Sequence, residues 1–239
     1  MFDYHNNIMD IIYEDNHIII VNKAPGEIVQ GDKTGDQPLS DLVKAYIKEA
    51  YAKPGEVFLG VVHRLDRPVG GLVVFARTSK GLTRMNELFR KSEVKKTYWA
   101  IVPVPQKESE RPLLHTPVRL EHWLVRNEQQ NKSYAYDREV PKSKKAVLDY
   151  QFIGLGERYG LVEVNLHTGR HHQIRCQLAK VGFPIKGDLK YGAQRSNPDG
   201  SISLLARSID FVHPVSKKQI HAVAPLPEGL WQSLAGEMA

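Results

Sequence analysis

Two uninterrupted apolar runs, Ile18-Ile19-Ile20-Val21 and Leu72-Val73-Val74-Phe75-Ala76, restrict this chain most. Neither alternates polar with apolar residues, so each reads as a strand covered on both sides rather than one with a wet face. Ile11 to Glu14, Asp15-Asn16 and His17 to Asn22 read as a hairpin, which Lys23-Ala24-Pro25-Gly26 ends with a turn. Residues 31–37 are polar and carry glycines, as a surface loop does. Leu39, Leu42, Val43, Tyr46 and Ile47 repeat at helical spacing behind Pro38 and Ser40. Lys53-Pro54-Gly55 breaks the chain, and Val57 to Val62 reads as the next strand. Behind Leu72 to Ala76, Thr78 or Ser79 can cap a helix to about Lys91, with Leu82, Met85, Leu88 and Phe89 inward.

The second half is patterned differently. Lys95 to Val102 alternates, with Lys96, Tyr98, Ala100 and Val102 on one face and Thr97, Trp99 and Ile101 on the other. Prolines interrupt residues 103–117, a short strand fits between His115 and Val125, and the polar stretch 126–144 reads as a mobile excursion. Ala146 to Leu155 and Gly160 to Leu166 form an antiparallel pair. His167-Thr168-Gly169-Arg170 is a sharp turn into a helix of about His172 to Val181, which Gly182 ends. Ile174, Leu178 and Val181 are spaced for one buried face. Ile202 to Val212 and Gln219 to Ala224 are two more strands, and a short helix closes the chain within Leu226 to Met238. The fold class that follows is α+β: a single domain over residues 1–239 built on a largely antiparallel, mixed sheet with flanking helices.

Between the first helix and the second apolar run lies Val61-Val62-His63-Arg64-Leu65-Asp66-Arg67-Pro68-Val69-Gly70-Gly71. One carboxylate sits between two arginines on a turn rich in Pro and Gly. Neighbouring cations favour its charged form, and such a carboxylate can act as a nucleophile. It can equally cap a turn or make a structural ion pair. Composition sets the setting for either role. Lys and Arg number 33 against 27 Asp and Glu, a formal net charge of +6 that suits a polyanionic partner. A single cysteine, Cys176, excludes an intramolecular disulfide and a multi-cysteine zinc site. The start is not a signal peptide and no apolar run approaches the length of a membrane span, so a cytoplasmic protein is expected.

Basic residues cluster twice, in Arg77–Lys96 and in His167–Arg195, beside turn-rich stretches where phosphate contacts would fall; solvated faces look the same. His167, His171 and His172 suggest a metal, but Gly169 breaks the helical spacing and no acidic ligand is adjacent, so positioning of a helix start or a phosphate fits better. Arg175 can face solvent or reach a carboxylate. Tyr98 can be an ordinary half-buried strand tyrosine or a flat platform for a base.

Taken together, these stretches resemble one family. His63-Arg64-Leu65-Asp66, Lys96-Thr97-Tyr98-Trp99-Ala100, the run from His167 through Ile174-Arg175, Gly182-Phe183-Pro184-Ile185-Lys186-Gly187-Asp188, Tyr191-Gly192, Leu204-Leu205-Ala206 and Phe211-Val212-His213-Pro214 resemble the RluA-type pseudouridine synthases, in order, over about residues 11–225. The resemblance implies a pseudouridine synthase fold. It also implies isomerisation of uridine to pseudouridine in RNA, ribosomal RNA before transfer RNA, without cofactor or metal. Carried over, Asp66 is the nucleophile and Tyr98 stacks on the base and is a candidate for removing the C5 proton. Arg175 pairs with Asp66. Leu204 or Leu205 lines the base pocket. His63, Arg64, Arg67, Arg170, His172 and Gln173 contact the flipped nucleotide and its phosphates. Many relatives carry a small N-terminal RNA-binding domain; about ten residues precede the first strand here, so a stand-alone catalytic domain, a monomer, is expected. Pro68-Val69-Gly70-Gly71 stands where the family commonly has Thr-Ser-Gly, His171 where a threonine is common, and Ala206-Arg207 where a His-Ala pair is frequent.

Overall fold

The structure, a computed structural model, describes residues 9–238. The chain forms two compact units, one of residues 9–94 and 208–225, the other of 95–207 and 226–238. Both are α+β, and every strand pair described below runs antiparallel.

In the first unit β1 (Asp10–Glu14) and β2 (Ile18–Lys23) form the expected hairpin, and β2 pairs on its other side with β4 (Gly70–Ala76). Every residue of β4 is buried, as is Ile18–Val21 of β2, which is the demand that two runs without polar alternation make. α1 (Leu39–Ala50) buries Leu39, Val43 and Ile47. Its first N–H groups, those of Leu39 and Ser40, find carbonyl partners in Ile28 and Val29 rather than a capping side chain. α2 (Ser79–Arg90) starts at Thr78, whose hydroxyl accepts the Gly81 N–H at 3.0 Å. The strand expected over Val57–Val62 shrinks to β3 (Gly60–Val61), paired with β4. Beyond Val61 the next β4 donor, Val74 N–H, goes to the His63 ring instead of a backbone carbonyl, so the ladder stops.

In the second unit β5 (Lys95–Pro103), β9 (Tyr159–Leu166), β8 (Lys144–Leu155), β6 (Val118–Asn127) and β7 (Lys132–Tyr136) pair in that order, with β7 at the edge. The odd-numbered residues Thr97, Asn165, Asp149, Arg119 and Trp123 lie on one face, and Tyr98, Val164, Leu148, Leu120 and Leu124 on the other. α3 (Gln173–Lys180) covers the Tyr98 face, with Cys176 packed on Leu124 and Ala146. α4 (Leu230–Ala235) covers part of the opposite face, with Leu234 packed on Trp99, Ile101, Ile153 and Leu161. β10 (Leu204–Val212) begins in this unit and ends in the first, where Ser208–Val212 pairs with β11 (Gln219–Val223).

The stretch 126–144, expected as a mobile excursion, is instead a β6–β7 hairpin followed by a tight turn into β8. Its polar residues are held by tertiary contacts. Ser133, buried in the middle, donates its N–H to the Tyr191 hydroxyl at 2.8 Å and its own hydroxyl to the His171 carbonyl at 2.8 Å. α3 also departs from its pattern: Gln173 to Leu178 are all buried, polar residues included, rather than one apolar face.

Candidate active site

In the first unit the chain leaves β3 and enters β4 through a turn that carries Asp66. The Asp66 carbonyl accepts the Val69 N–H at 3.0 Å, closing the turn, and Gly71 at φ +112° makes the bend into β4 that a side chain would resist. The Arg67 carbonyl accepts the Gly26 N–H at 2.8 Å, so the Lys23–Gly26 turn and the Asp66 turn are clipped together. Lys23 sits under this clip, 1% exposed. Its ammonium donates to the carbonyls of Ala24 and Glu27, both at 2.9 Å, and of Arg67 at 3.2 Å. Burial pulls its pKa down to about 8, against the attraction of Glu27 and Asp66. His63 is fixed on both sides of its ring. Its Nε2 accepts the Val74 N–H at 3.1 Å, and the ring stacks on Phe89 with centroids 5.1 Å apart. Asp66 itself is half-buried and Arg64 is exposed. The Arg67 guanidinium pairs with Asp36 and donates to the Thr34 hydroxyl at 3.0 Å, in the loop before α1. The two flanking arginines that the sequence sets beside Asp66 are therefore not equivalent, and Lys23 is a buried cation that feels its charge.

In the second unit Tyr98 is buried on β5, on the sheet face that α3 covers. Arg175, from the first turn of α3, is buried too. Its guanidinium grips Asp188 with two hydrogen bonds, Nε to Oδ2 at 2.6 Å and a terminal nitrogen to Oδ1 at 2.9 Å. This two-pronged, charge-assisted pair fixes the plane of the guanidinium. The Tyr191 ring lies 5.1 Å from its central carbon. Asp188 is held in turn by its backbone: its N–H donates to Ile185 O at 3.0 Å, and its carbonyl accepts from Tyr191 and Ala193 at 3.1 and 3.0 Å. The preceding Gly187 has φ +89°, and a Cβ there would stand 2.7 Å from the Ser201 carbonyl, so only glycine fits this approach.

His172 begins α3 with φ +52°, a left-handed conformation that costs a β-carbon-bearing residue about 1 kcal/mol. Its ring is held by stacking on His171, centroids 3.8 Å apart, and by Nδ1 at 3.0 Å from the Tyr191 hydroxyl. Burial raises the Tyr191 phenol well above its ordinary range, so that hydroxyl keeps its proton while it accepts from Ser133 and shares a hydrogen bond with His172. The Gln173 side chain closes the Gly169 turn. Its oxygen accepts from the Thr168 hydroxyl at 2.7 Å and the Arg170 N–H at 3.0 Å, and its amide donates to Val147 O at 3.1 Å. Arg170 is exposed, with Nε donating to Lys145 O at 3.0 Å. His167 bonds Asp149 at 2.6 Å, apart from the stacked pair of His171 and His172. Leu204 and Leu205 are buried at the start of β10.

Thus Tyr98 and Arg175 share one sheet face, His172 and Gln173 shape the entry to the helix that presents Arg175, and His63 props the strand beside the Asp66 turn. Lys23, Asp188 and Tyr191 enter the site only through these tertiary contacts. Asp188 and Tyr191 lie within the motif runs, but nothing in a linear pattern separates a buried aspartate from a surface one.

The chain is similar to known proteins along most of its length. Residues 17–180 match the family model of RNA pseudouridylate synthase. The chain is 31% identical over 240 residues to ribosomal large subunit pseudouridine synthase D of Xylella fastidiosa, covering 95% of this chain and 69% of that one. It is 29% identical over 248 residues to tRNA pseudouridine synthase C of Haemophilus influenzae, covering 96% and 98%. Among solved structures, human RNA pseudouridylate synthase domain containing 4 superposes with a TM-score of 0.73 at 24% identity, over 92% of this chain and 89% of that one, which shows the shared fold.

Proposed function

This chain belongs to the RNA pseudouridylate synthase family and is an RNA-modifying isomerase, and on that premise we propose that Asp66 is its nucleophile, acting on a uridine flipped out of structured RNA. The reaction exchanges one glycosidic bond for another. The bond from N1 of uracil to the ribose breaks, the base turns within the site, C5 bonds to the same ribose carbon and loses its proton, and N1 gains one, so the product is an isomer. No oxidant, metal or cofactor enters this balance. The enzyme must supply a carboxylate to enter the reaction, a pocket that keeps the detached base, and a base for the C5 proton.

The observation that carries the reading is the Asp66 turn. A partly accessible carboxylate stands on a backbone clipped in place by Lys23 and Gly26, so its position does not depend on substrate. Tyr98 supports the stacking and proton-removing role. Arg175, immobilised by Asp188, offers a fixed cation to orient the nucleophile. Leu204 or Leu205 lines the base pocket, and His63, Arg64, Arg67, Arg170, His172 and Gln173 shape the surroundings of the nucleotide. Ribosomal RNA is the favoured substrate, the similarity to a ribosomal large subunit synthase supporting it, with transfer RNA the alternative. The enzyme works as a monomer in the cytoplasm; among the described residues no helix is long and apolar enough to cross a membrane.

The test is a pseudouridine map of total RNA from cells carrying the wild-type protein or Asp66→Ala. Loss of a defined set of pseudouridines is the expected result, and the RNA class in which they lie names the substrate. An unchanged map overturns the assignment of Asp66.

A further inference from the structure

The odd-residue face of the second unit's sheet is used unevenly. At the β5–β9 end α4 covers it, and Trp99 is buried beneath Leu234. At the β6–β7 end aromatic side chains stand in solvent. Tyr134 and Tyr136 are 39% and 41% exposed. One ladder row, Tyr136–Trp123–Lys145, crosses three strands, and Val125 opposite Tyr134 extends it. Residues directly opposite on neighbouring strands point to the same face, so these side chains form one continuous patch. Tyr98 lies on the other face of this sheet.

Two of the three rings carry an ammonium beside them. Lys145 Nζ is 5.8 Å from the Trp123 centroid, and Lys132 Nζ is 5.5 Å from that of Tyr134. The acids on the patch are already paired: Glu121 with Lys145 at 2.9 Å, Asp149 with His167 at 2.6 Å. Residues 118–145 carry seven Lys and Arg against four Asp and Glu. A flat aromatic face with a cation at its rim matches a nucleotide, whose base stacks while its phosphate meets the ammonium. An apolar protein partner would call for a broader patch without the flanking charge.

We propose that Tyr134, Tyr136 and Trp123 form a stacking platform for a single-stranded segment of RNA, on the sheet face opposite Tyr98. It rests on the reading that this enzyme handles RNA, and adds a second contact surface away from the catalytic tyrosine. Tyr134 and Tyr136 are two residues apart on one strand, a spacing of about 7 Å that offers separate rings to two bases of an extended strand.

The test is fluorescence anisotropy with a labelled decamer of oligouridine. Tyr134→Ala/Tyr136→Ala is expected to bind about tenfold or more weakly, and Tyr134→Phe/Tyr136→Phe to bind like wild type, since the ring and not the hydroxyl does the stacking. Quenching of tryptophan emission by the decamer is expected in wild type and lost in Trp123→Phe. The same weakening by the alanine pair is expected with a decamer of oligoadenosine, which holds no uridine for the catalytic site, and this separates the platform from the catalytic reading. Failure of wild type to bind, or equal binding by the alanine pair, overturns the proposal and leaves the face to a protein partner. Equal weakening by the phenylalanine pair overturns stacking as the cause.

Discussion

Lys23 shows how one buried residue can govern a turn it does not belong to. Its ammonium satisfies the carbonyls of Ala24, Glu27 and Arg67, and the last of these is the residue after Asp66. Lys23→Met removes one donor from each of these carbonyls, of which Arg67 and Ala24 keep a backbone donor, and urea unfolding at pH 7 should show a loss of about 1–3 kcal/mol. The pH dependence has a definite sign. Below about pH 8 Lys23 is charged in both folded and unfolded chains, and the cost of burying that charge is fully present. Between about 8 and the ordinary lysine value of 10.5 the folded chain has released the proton while the unfolded chain still holds it. This group therefore adds stability as pH rises through that window, by on the order of 1 kcal/mol per pH unit. Wild type should show this rise in unfolding experiments at pH 8 and 9.5, and Lys23→Met should lack it. Arg175 and Asp188 make the complementary case. Removing one partner of a buried ion pair strands the other, so Asp188→Ala should cost about 3–5 kcal/mol. The milder Asp188→Asn should keep the fold, with kcat falling much more than KM rises, because it releases the plane of a guanidinium assigned to orient the nucleophile; equal kcat in the variant would count against that role.

At the scale of elements, α3 and β7 explain each other. α3 can bury polar residues on every side because each has at least one fixed partner, although Gln177 Oε1 accepts no hydrogen bond. Gln177 donates to His122 Nδ1 at 2.9 Å, the Cys176 thiol to Ser133 O at 3.2 Å, and Arg175 to Asp188. Burial pushes the Cys176 thiol up to about 11, so it packs as a neutral group. β7 in turn is a strand because Tyr191 and His171 hold Ser133. Ser133→Ala removes the hydroxyl's bond to the His171 carbonyl and should lower stability by about 1 kcal/mol, with faster amide exchange confined to residues 128–136. The approach of α4 to β8 is tighter still. A Cβ at Gly154 would stand 2.0 Å from the Leu234 carbonyl, which is backbone and cannot swing aside. Gly154→Ala should displace α4, lowering stability by about 1–3 kcal/mol and shifting the emission of Trp231, which packs in the same cluster.

At the scale of the whole molecule, the net charge of +6 is the property most relevant to RNA. Phosphate contacts release counterions, so the logarithm of RNA affinity should fall with the logarithm of salt at a slope of about −2 or steeper. A slope near zero would remove the basic clusters from the RNA interface. The sequence alone accounts for the strands and helices whose patterns are local. The hairpin of β1 and β2, the alternation of β5, the Thr78 cap and the Gly169 turn follow from side-chain periodicity and turn chemistry within a few residues. It also displayed Asp66, Tyr98 and Arg175 in recognisable surroundings, which sufficed for the family and the reaction. Only the tertiary structure decided which polar residues are buried. It made a strand of the polar stretch 132–136, placed Lys23 beneath the Asp66 turn, sent Arg67 to Asp36 and gave Arg175 to Asp188. The reason is physical: a hydrogen bond or ion pair between residues far apart in sequence leaves no periodic trace, because its worth depends on the water excluded around both partners once the chain has closed over them.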